Sequence, residues 1–378
     1  MLPIEQDKRL IAFVSNSAWS VYNFRIDVIR HLIGKGFKIL VVAPIDENST
    51  LLQDEGCIYA DINFNNRHEN PLQDVTLYSQ LKSIYKKFHP DFIFHYVIKP
   101  NIYGSFAAAN LHIPSVSVIT GLGYPFAKKN WLYYVVKSLY KKALQRVTEV
   151  WFLNNEDARS FTANHIIPIK KVKVLPGEGV NTDHFSPAFE APVKKNGRFV
   201  FLMSSRLLKS KGISIYADAA RILKRKNIDA TFELLGFFEK HHPDSLTIEE
   251  IRNWELEGLI HFNGFANDVR PYLKNADCFV FPSFYNEGVP RGLMEAASME
   301  LPIVTAYNRG SKEVVLNNST GYLCNPNDPF DLADKLEKVM HLPEEERKRM
   351  GKNGRALVVK KFNIEKVIQQ YDSILKII

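Results

Sequence analysis

The stretch CFVFPSFYNEGVPRGLMEAA, residues 278–297, passes from an apolar block through a turn into helical spacing. Cys278 to Phe281 predicts a buried strand, Pro282 ends it, Gly288, Pro290 and Gly292 punctuate the turn, and the residues up to Ala297 open a helix. Strand, glycine-bearing turn and helix make one step of an α/β alternation, in which helices cover a parallel sheet. The same alternation extends outward on both sides. Strands are expected at Phe199 to Met203, Thr231 to Leu235, Leu259 to Phe262 and Pro302 to Thr305, with a helix from about Ile213 to Lys226.

An earlier series has the same form: a strand at Leu10 to Ser15, a helix from about Asn23 to Lys35, and strands at Lys38 to Ala43 and Asp91 to Tyr96. A helix at Ile102 to Asn110 and a strand at Ser115 to Ile119 follow. The fold class is therefore α/β, with two Rossmann-like parallel-sheet domains, residues 1–187 and 188–363. The segment from Asp183 to Gly197, with Pro187, Pro192, two lysines and little apolar pattern, reads as the linker. The last segment, 364–378, has apolar positions at helical spacing suited to packing back on the first domain. Parallel sheets bind ligands outside the carboxyl ends of their strands. Two such domains facing each other would form a cleft, and the chemistry is expected in the loops that follow strands.

Composition bounds the function. A chain of 378 residues with 46% hydrophobic and 24% charged content suits two globular domains and excludes disordered or fibrous classes. No apolar run approaches the roughly 20 residues of a spanning helix, and Met1 to Leu10 lacks the apolar core of a signal peptide, so a cytoplasmic protein is expected. Cys57, Cys278 and Cys324 show neither metal-ligand nor disulfide spacing and read as buried thiols. The net charge of +8 calls for an anionic partner: nucleic acid, a phosphorylated small molecule or an acidic lipid surface. Without zinc-finger spacing, an Arg-Gly tract or an aromatic-basic RNA signature, nucleic acid is not expected.

The turn at 287–292 carries candidate chemistry. Gly288 and Gly292 let a backbone approach a ligand, and the free amides of an opening helix favour oxyanions or sugar hydroxyls. Glu287 and Glu295 are acceptors suited to neighbouring hydroxyls, although a glutamate near a helix start is also explained by the helix dipole. Two acids eight apart in a Pro-Ser-x(3)-Glu-Gly frame after a strand resemble the paired-glutamate motif of the retaining GT-B glycosyltransferases of family 4, the group 1 glycosyltransferases. The resemblance implies a GT-B architecture. It also implies that Glu287 faces the transferred sugar, that the backbone of Gly288, Val289, Pro290, Arg291 and Gly292 meets sugar hydroxyls, and that Glu295 holds the ribose.

Further matches widen the resemblance. In SSRLLKSKGI, residues 204–213, Arg206 and Lys211 sit after the first strand of the second domain, where two cations can bracket a diphosphate and neutralise charge on a leaving group; Lys209 is expected to face solvent. Gly264 to Val269 resembles the base-holding loop, with Phe265 able to pack on a uracil ring or to serve as a core residue, and Val269 beside it. Residues 177–185 resemble the loop entering the linker, and Ser15 to Arg25 the first strand-to-helix loop, which brings Arg25 to the acceptor side. There is one departure. Many relatives carry a His-Gly pair where this chain has Thr120-Gly121-Leu122-Gly123-Tyr124, so no general base is assigned, and His95 and Lys99 become acceptor-side candidates with Thr120 and Gly121.

On a helical wheel the segment 126–147 separates Leu132, Val136, Leu139, Tyr140, Ala143, Leu144 and Val147 from Trp131, Tyr134, Lys137, Lys141, Lys142 and Arg146. The second face, aromatic and cationic, suits an anionic membrane surface. A basic solvated helix would explain the lysines and leave the aromatics unexplained. The expectation is a retaining transferase that moves a hexose or N-acetylhexosamine from a UDP-sugar donor to a lipid-linked, polyprenyl-diphosphate saccharide acceptor at the inner face of the membrane. UDP-sugar is a co-substrate, and neither cofactor nor metal is expected. The alternatives are a GT-B sugar-nucleotide epimerase and a non-catalytic nucleotide-sugar-binding protein, which product analysis separates.

Overall fold

Near-continuous apolar runs such as Ile11 to Val14 and Ile39 to Ala43 are what a parallel strand needs when helices bury both of its faces, and in the computed structural model every one of those residues is buried. The structure describes residues 9–63, 71–122, 126, 131–191, 197–239, 242–285 and 288–378. Glu287, Gly123, Tyr124, Lys128, Lys129 and Pro192 therefore lie outside the described residues. The chain divides into two units, 1–178 with 365–378, and 179–364.

In the first unit the strands are β1 (Leu10–Val14), β2 (Lys38–Ala43), β3 (Ile58–Asp61), β4 (Phe92–Tyr96), β5 (Ser115–Ile119), β6 (Glu149–Phe152) and β7 (Val172–Val174). They pair in parallel in the order β3-β2-β1-β4-β5-β6-β7. The helices are α1 (Ala18–Gly34), α2 (Asn48–Asp54), α3 (Pro71–Phe88), α4 (Ser105–Asn110), α5 (Trp131–Leu144) and α6 (Asn155–Ala163). Helix α1 starts five residues before the expected Asn23 because the Ser17 hydroxyl caps it, accepting from the Ser20 amide at 3.2 Å. The segment expected to be helical from Ile102 opens as a π-helical turn, Pro100–Gly104, which leaves α4 only six residues long.

In the second unit β8 (Phe199–Ser204), β9 (Ala230–Leu235), β10 (His261–Phe262), β11 (Cys278–Phe281), β12 (Ile303–Ala306) and β13 (Gly321–Cys324) form a parallel sheet in the order β10-β9-β8-β11-β12-β13. Its helices are α7 (Ile213–Arg225), α8 (Ile248–Leu256), α9 (Arg270–Asn275), α10 (Arg291–Ser298), α11 (Ser311–Val314), α12 (Pro329–His341) and α13 (Glu344–Phe362). Helix α14 (Ile364–Leu375) belongs with the first unit from residue 365 onward. Its Tyr371 ring lies 4.7 Å from Phe94 and 4.9 Å from Trp151, on the sheet face opposite Ile93 and His95, as the two-residue period of a strand requires.

The boundary at 187/188 is corrected to 178/179. The segment from Asp183 reads as a linker because it lacks a periodic apolar pattern, yet Phe185 within it, like Val180 just before it, is buried in the core of the second unit. Val180 donates its amide to Phe362 O and accepts from the Ile364 amide, both at 2.9 Å. Arg355 donates to Phe185 O at 3.1 Å and to Thr182 O at 3.2 Å, and Lys274 Nζ donates to Pro187 O at 2.6 Å. The stretch is a strap on the second unit.

Candidate active site

In the second unit the chain leaves β8 toward β9 on one side, whereas β11 pairs on the other. The loops after β8 and β11 consequently diverge at the carboxyl edge, at the topological switch point where open α/β sheets bind ligands. The register Cys278↔Phe201 and Phe279↔Leu202 brings together two loops that are about 80 residues apart in sequence. They touch directly: the Ser283 hydroxyl and the Phe284 amide donate to Ser210 O at 3.2 and 3.1 Å. Gly212, at φ +80°, lies so close that an added Cβ would sit 2.2 Å from Pro282 O. Only glycine satisfies both the left-handed backbone and that approach.

Lys211 is largely buried, with Nζ 5.7 Å from the centre of the Phe281 ring and 5.9 Å from that of Tyr285. This aromatic seat on β11 and its loop holds the ammonium at the switch point. Arg206 is less enclosed and pairs through Nη1 with Glu239 Oε2 at 2.7 Å. Lys209 is solvent-facing, with its side chain 55% exposed. The loop between these cations is fixed from beneath by Asp244, whose carbonyl accepts from the Lys209 amide at 2.8 Å and whose carboxylate accepts from the Ser210 amide at 2.9 Å and from the Ser210 hydroxyl.

Helix α10 starts at Arg291 after Pro290, so the first-turn amides of Arg291 and Gly292 have no earlier helical carbonyl to reach. A Cβ on Gly292 would lie 3.9 Å from Ser204 O, which places this helix start against the end of β8. Glu295 sits one turn in and takes Arg291 Nε on Oε1 at 2.8 Å, an i,i+4 ion pair with both side chains mostly covered. Gly288 is held by Gly310, whose imagined Cβ would overlap Gly288 O. Asn308 stabilises this approach, donating to Ser283 O at 3.0 Å and accepting from the amides of Gly310 and Ser311 at 3.1 and 2.8 Å. Val289 is buried in the core below.

After β10, Phe265 is 54% exposed and meets Phe237 edge-on at 5.6 Å, so it is no core residue. Val269 packs on the core, next to Asp268. Burial alone would raise the Asp268 carboxyl, but the Arg270 side chain and amide, bonding it at 2.8 to 3.1 Å, hold it below the ordinary carboxylate value.

The first unit redistributes the acceptor-side candidates. His95 is fully buried, bonded to Tyr85 Oη at 3.0 Å, and covered by Gly104, which leaves no room for a Cβ against the imidazole. Burial pushes its pKa down to about 3. It is a neutral structural group, and the acceptor-side expectation for His95 is withdrawn. Arg25 is also buried, paired with Glu178 Oε1 at 2.5 Å and stacked 4.3 Å from the Tyr96 ring centre, so it too is structural. Lys99 pairs with Asp74 at 3.1 Å. Thr120 and Gly121 follow β5 at its carboxyl edge, half-buried, with open space at the Gly121 Cβ position.

On α5 the buried face is Tyr133, Val136, Tyr140, Ala143 and Leu144. Trp131 and Tyr134 are 65% and 62% exposed, and Lys141, Lys142 and Arg146 face outward with them. Lys137 is corrected: it turns inward to donate to Asn164 Oδ1 at 3.2 Å and lies over the Tyr133 ring. Among the described residues no helix is long and apolar enough to cross a membrane.

Sequence reasoning missed Glu239, Asp244, Asn308 and Gly310 as supports of the site. Glu239 and Asp244 lie 33 and 34 residues from the cation and hydroxyl they hold, Asn308 lies 25 residues from the Ser283 carbonyl, and only Asn308-x-Gly310 carries a local turn signal.

Two doubly wound units of this kind define the GT-B class. A glycosyltransferase from Rickettsia africae superposes with a TM-score of 0.81 at 22% identity, covering 98% of each chain. Anabaena HepE, solved in complex with UDP-glucose, superposes with a TM-score of 0.80 at 20% identity, covering 98% of this chain and all of that one. The family profile described as "Glycosyl transferases group 1" matches residues 186–357, and "Glycosyl transferase 4-like" matches 10–154. The chain belongs to the group 1 glycosyltransferases and is an enzyme that transfers sugars. Among its relatives is the Campylobacter jejuni N,N'-diacetylbacillosaminyl-diphospho-undecaprenol alpha-1,3-N-acetylgalactosaminyltransferase, 28% identical over 91% of this chain and 92% of the relative. The Escherichia coli UDP-Gal:alpha-D-GlcNAc-diphosphoundecaprenol alpha-1,3-galactosyltransferase is also 28% identical, over 80% of each chain.

Proposed function

We propose that this enzyme moves a hexose or N-acetylhexosamine, with retention at the anomeric carbon, from a UDP-sugar to a hydroxyl of a polyprenyl-diphosphate-linked saccharide in the assembly of a bacterial surface polysaccharide or glycan. The observation that carries the reading is the meeting of Lys211 and the Arg291/Glu295 helix start at one switch point, joined by the contacts of Ser210 and Gly212 with the loop after β11. The acceptor class rests on the two relatives whose names specify diphospho-undecaprenol acceptors.

In this reading Lys211, Arg206 and the first-turn amides of α10 face the donor diphosphate, and the chain's own cations neutralise the leaving group without a metal or cofactor. Glu295 accepts from the ribose hydroxyls, Phe265 stacks on the base, and Glu287 faces the transferred sugar. The bond from the anomeric carbon to the diphosphate oxygen breaks as the acceptor oxygen bonds to the same face of that carbon. The acceptor proton passes to the departing phosphate oxygen and UDP leaves. No side chain is assigned as general base. The face of Trp131, Tyr134, Lys141, Lys142 and Arg146 holds the enzyme at the inner membrane surface.

The test is incubation with membranes and a panel of UDP-sugars, followed by mass spectrometry of the lipid fraction. A mass gain of one sugar on a lipid-linked saccharide is expected, and NMR of the product gives the anomeric configuration. An epimerised donor with no new glycoside would favour the epimerase reading, and UDP-sugar binding without turnover on any acceptor a binding protein.

A further inference from the structure

We propose that a groove between α3 and α5 of the first unit receives the isoprenoid chain of the acceptor's lipid carrier. The inference rests on the acceptor class proposed above and extends it to a binding surface that the donor site does not involve.

The groove exists because of a mismatch in helix length. Helices α3 and α5, of 18 and 14 residues, both pack on the π-helical turn at 100–104 and on α4, which has only six residues, three of them alanine. The short central element leaves an open trough of about 610 Å³. Its floor is Tyr103 and Phe106, and its walls are Val75 and Tyr78 on one side and Val135 and Leu139 on the other. Val75 and Val135 are 63% and 45% exposed, an unusual position for facing β-branched apolar residues.

The charge around the trough selects the occupant. Asp74, the acid in its lining, already has a cation: Oδ2 accepts from the Tyr103 hydroxyl at 2.7 Å and Oδ1 lies 3.1 Å from the Lys99 ammonium. Arg146 also lines the trough, with its guanidinium 5.7 Å from the Phe106 ring centre, and makes no ion pair among the described residues. Lys142 falls on the same face of α5 as Val135 and Arg146, and residues 126–147 contain no acid. An apolar trough with a cationic rim complements an apolar chain that carries an anionic group. A polyprenyl diphosphate has that composition, whereas an amphipathic protein helix would set a polar face against the rim without using its positive charge. Trp131, one helical turn before Val135, extends the apolar surface outward to the membrane-facing side of α5.

The probe is undecaprenyl diphosphate carrying an alkyl diazirine on its chain, irradiated with the full-length protein in detergent, with labelled peptides mapped by mass spectrometry. Label is expected on the first half of α3 and on α5. Label confined to other peptides, or none, overturns the proposal. The double variant Val75→Glu/Val135→Glu should lower labelling of these peptides at least fivefold, while Val75→Leu/Val135→Leu, which keeps the trough apolar, should preserve it. Equal labelling in both overturns the proposal, as does a loss in both. A third arm uses phosphatidylglycerol vesicles free of polyprenyl lipid. If the glutamate variant loses vesicle binding in the same proportion as labelling, the trough is an ordinary bilayer contact and the proposal fails. Labelling with no sugar transfer to any lipid-linked acceptor would defeat the acceptor reading and leave the groove standing. Transfer without labelling would defeat the groove alone.

Discussion

At the scale of single residues, Glu295 is the group on which the donor assignment can be tested most directly. The Arg291 guanidinium fixes the carboxylate at 2.8 Å on the same helix face. If Glu295 accepts ribose hydrogen bonds, Glu295→Ala should weaken UDP binding by about 10- to 100-fold, the effect of about 1.5–3 kcal/mol for bonds to a charged group. Calorimetric titration with UDP checks this, and wild-type affinity in the variant removes the ribose role. Arg291→Ala should produce a smaller loss together with a weaker preference for UDP over 2′-deoxy-UDP, because the carboxylate is no longer aimed. His95 gives a pH signature instead. Its folded pKa, pushed down to about 3, lies below the ordinary 6.5, so the unfolded chain binds the proton first. Stability is then fully present above the unfolded pKa and is lost as pH falls from about 6.5 toward about 3, by up to about 1.4 kcal/mol per pH unit. Between pH 6.5 and 5, above the range in which ordinary carboxylates titrate, His95→Gln should flatten the slope of thermal stability; an unchanged slope would assign it to other groups.

At the scale of elements, the proposed donor site is the meeting of two strand-to-helix connections, and Gly212 is its closest point. Gly212→Ala places a Cβ 2.2 Å from Pro282 O in a left-handed backbone, so the loops after β8 and β11 must separate. The expected outcome is a loss of more than about 1 kcal/mol in stability and a reduced affinity for UDP, read by thermal unfolding and titration. Unaltered UDP affinity would mean that the diphosphate does not depend on this juncture. Helix α5 makes a separate prediction. Replacing Lys141, Lys142 and Arg146 with Gln should weaken binding to anionic vesicles by about 1 kcal/mol per cation with no change in UDP affinity; retained vesicle binding would make the face merely solvated. Lys137 is left out because it is committed to Asn164.

At the scale of the molecule, the first unit is closed by residues from distant parts of the chain. Glu178, its last residue before the second unit begins, pairs with Arg25 on α1. Arg25 stacks on Tyr96 of β4, and the Tyr96 and Tyr371 hydroxyls bond at 2.6 Å, which ties in α14. Burial opposes the charge on Arg25, and Glu178 compensates for it. Glu178→Ala should therefore destabilise the first unit by about 3–5 kcal/mol, seen as a separate early transition in calorimetry. A shift below about 1 kcal/mol would show that the pair behaves as a solvated one.

Much of this was legible in the chain itself. The two α/β series and the strand-turn-helix at 278–297 could be read because strand burial, turn glycines and helix starts leave local, periodic signals. Val136, Tyr140, Ala143 and Leu144 on the buried face of α5 followed from periodicity as well, whereas the buried Tyr133 did not. The tertiary structure decided what depends on distant partners: that His95 and Arg25 are interior, that Lys137 bonds sideways, and that 180–189 is a strap whose carbonyls are taken by Arg355 and Lys274. A local pattern records which face of an element avoids water. Only the packed chain determines which neighbour, tens or hundreds of residues away, supplies the charge or hydrogen bond that makes a buried polar group tolerable, and hence whether that group belongs to the site or to the core.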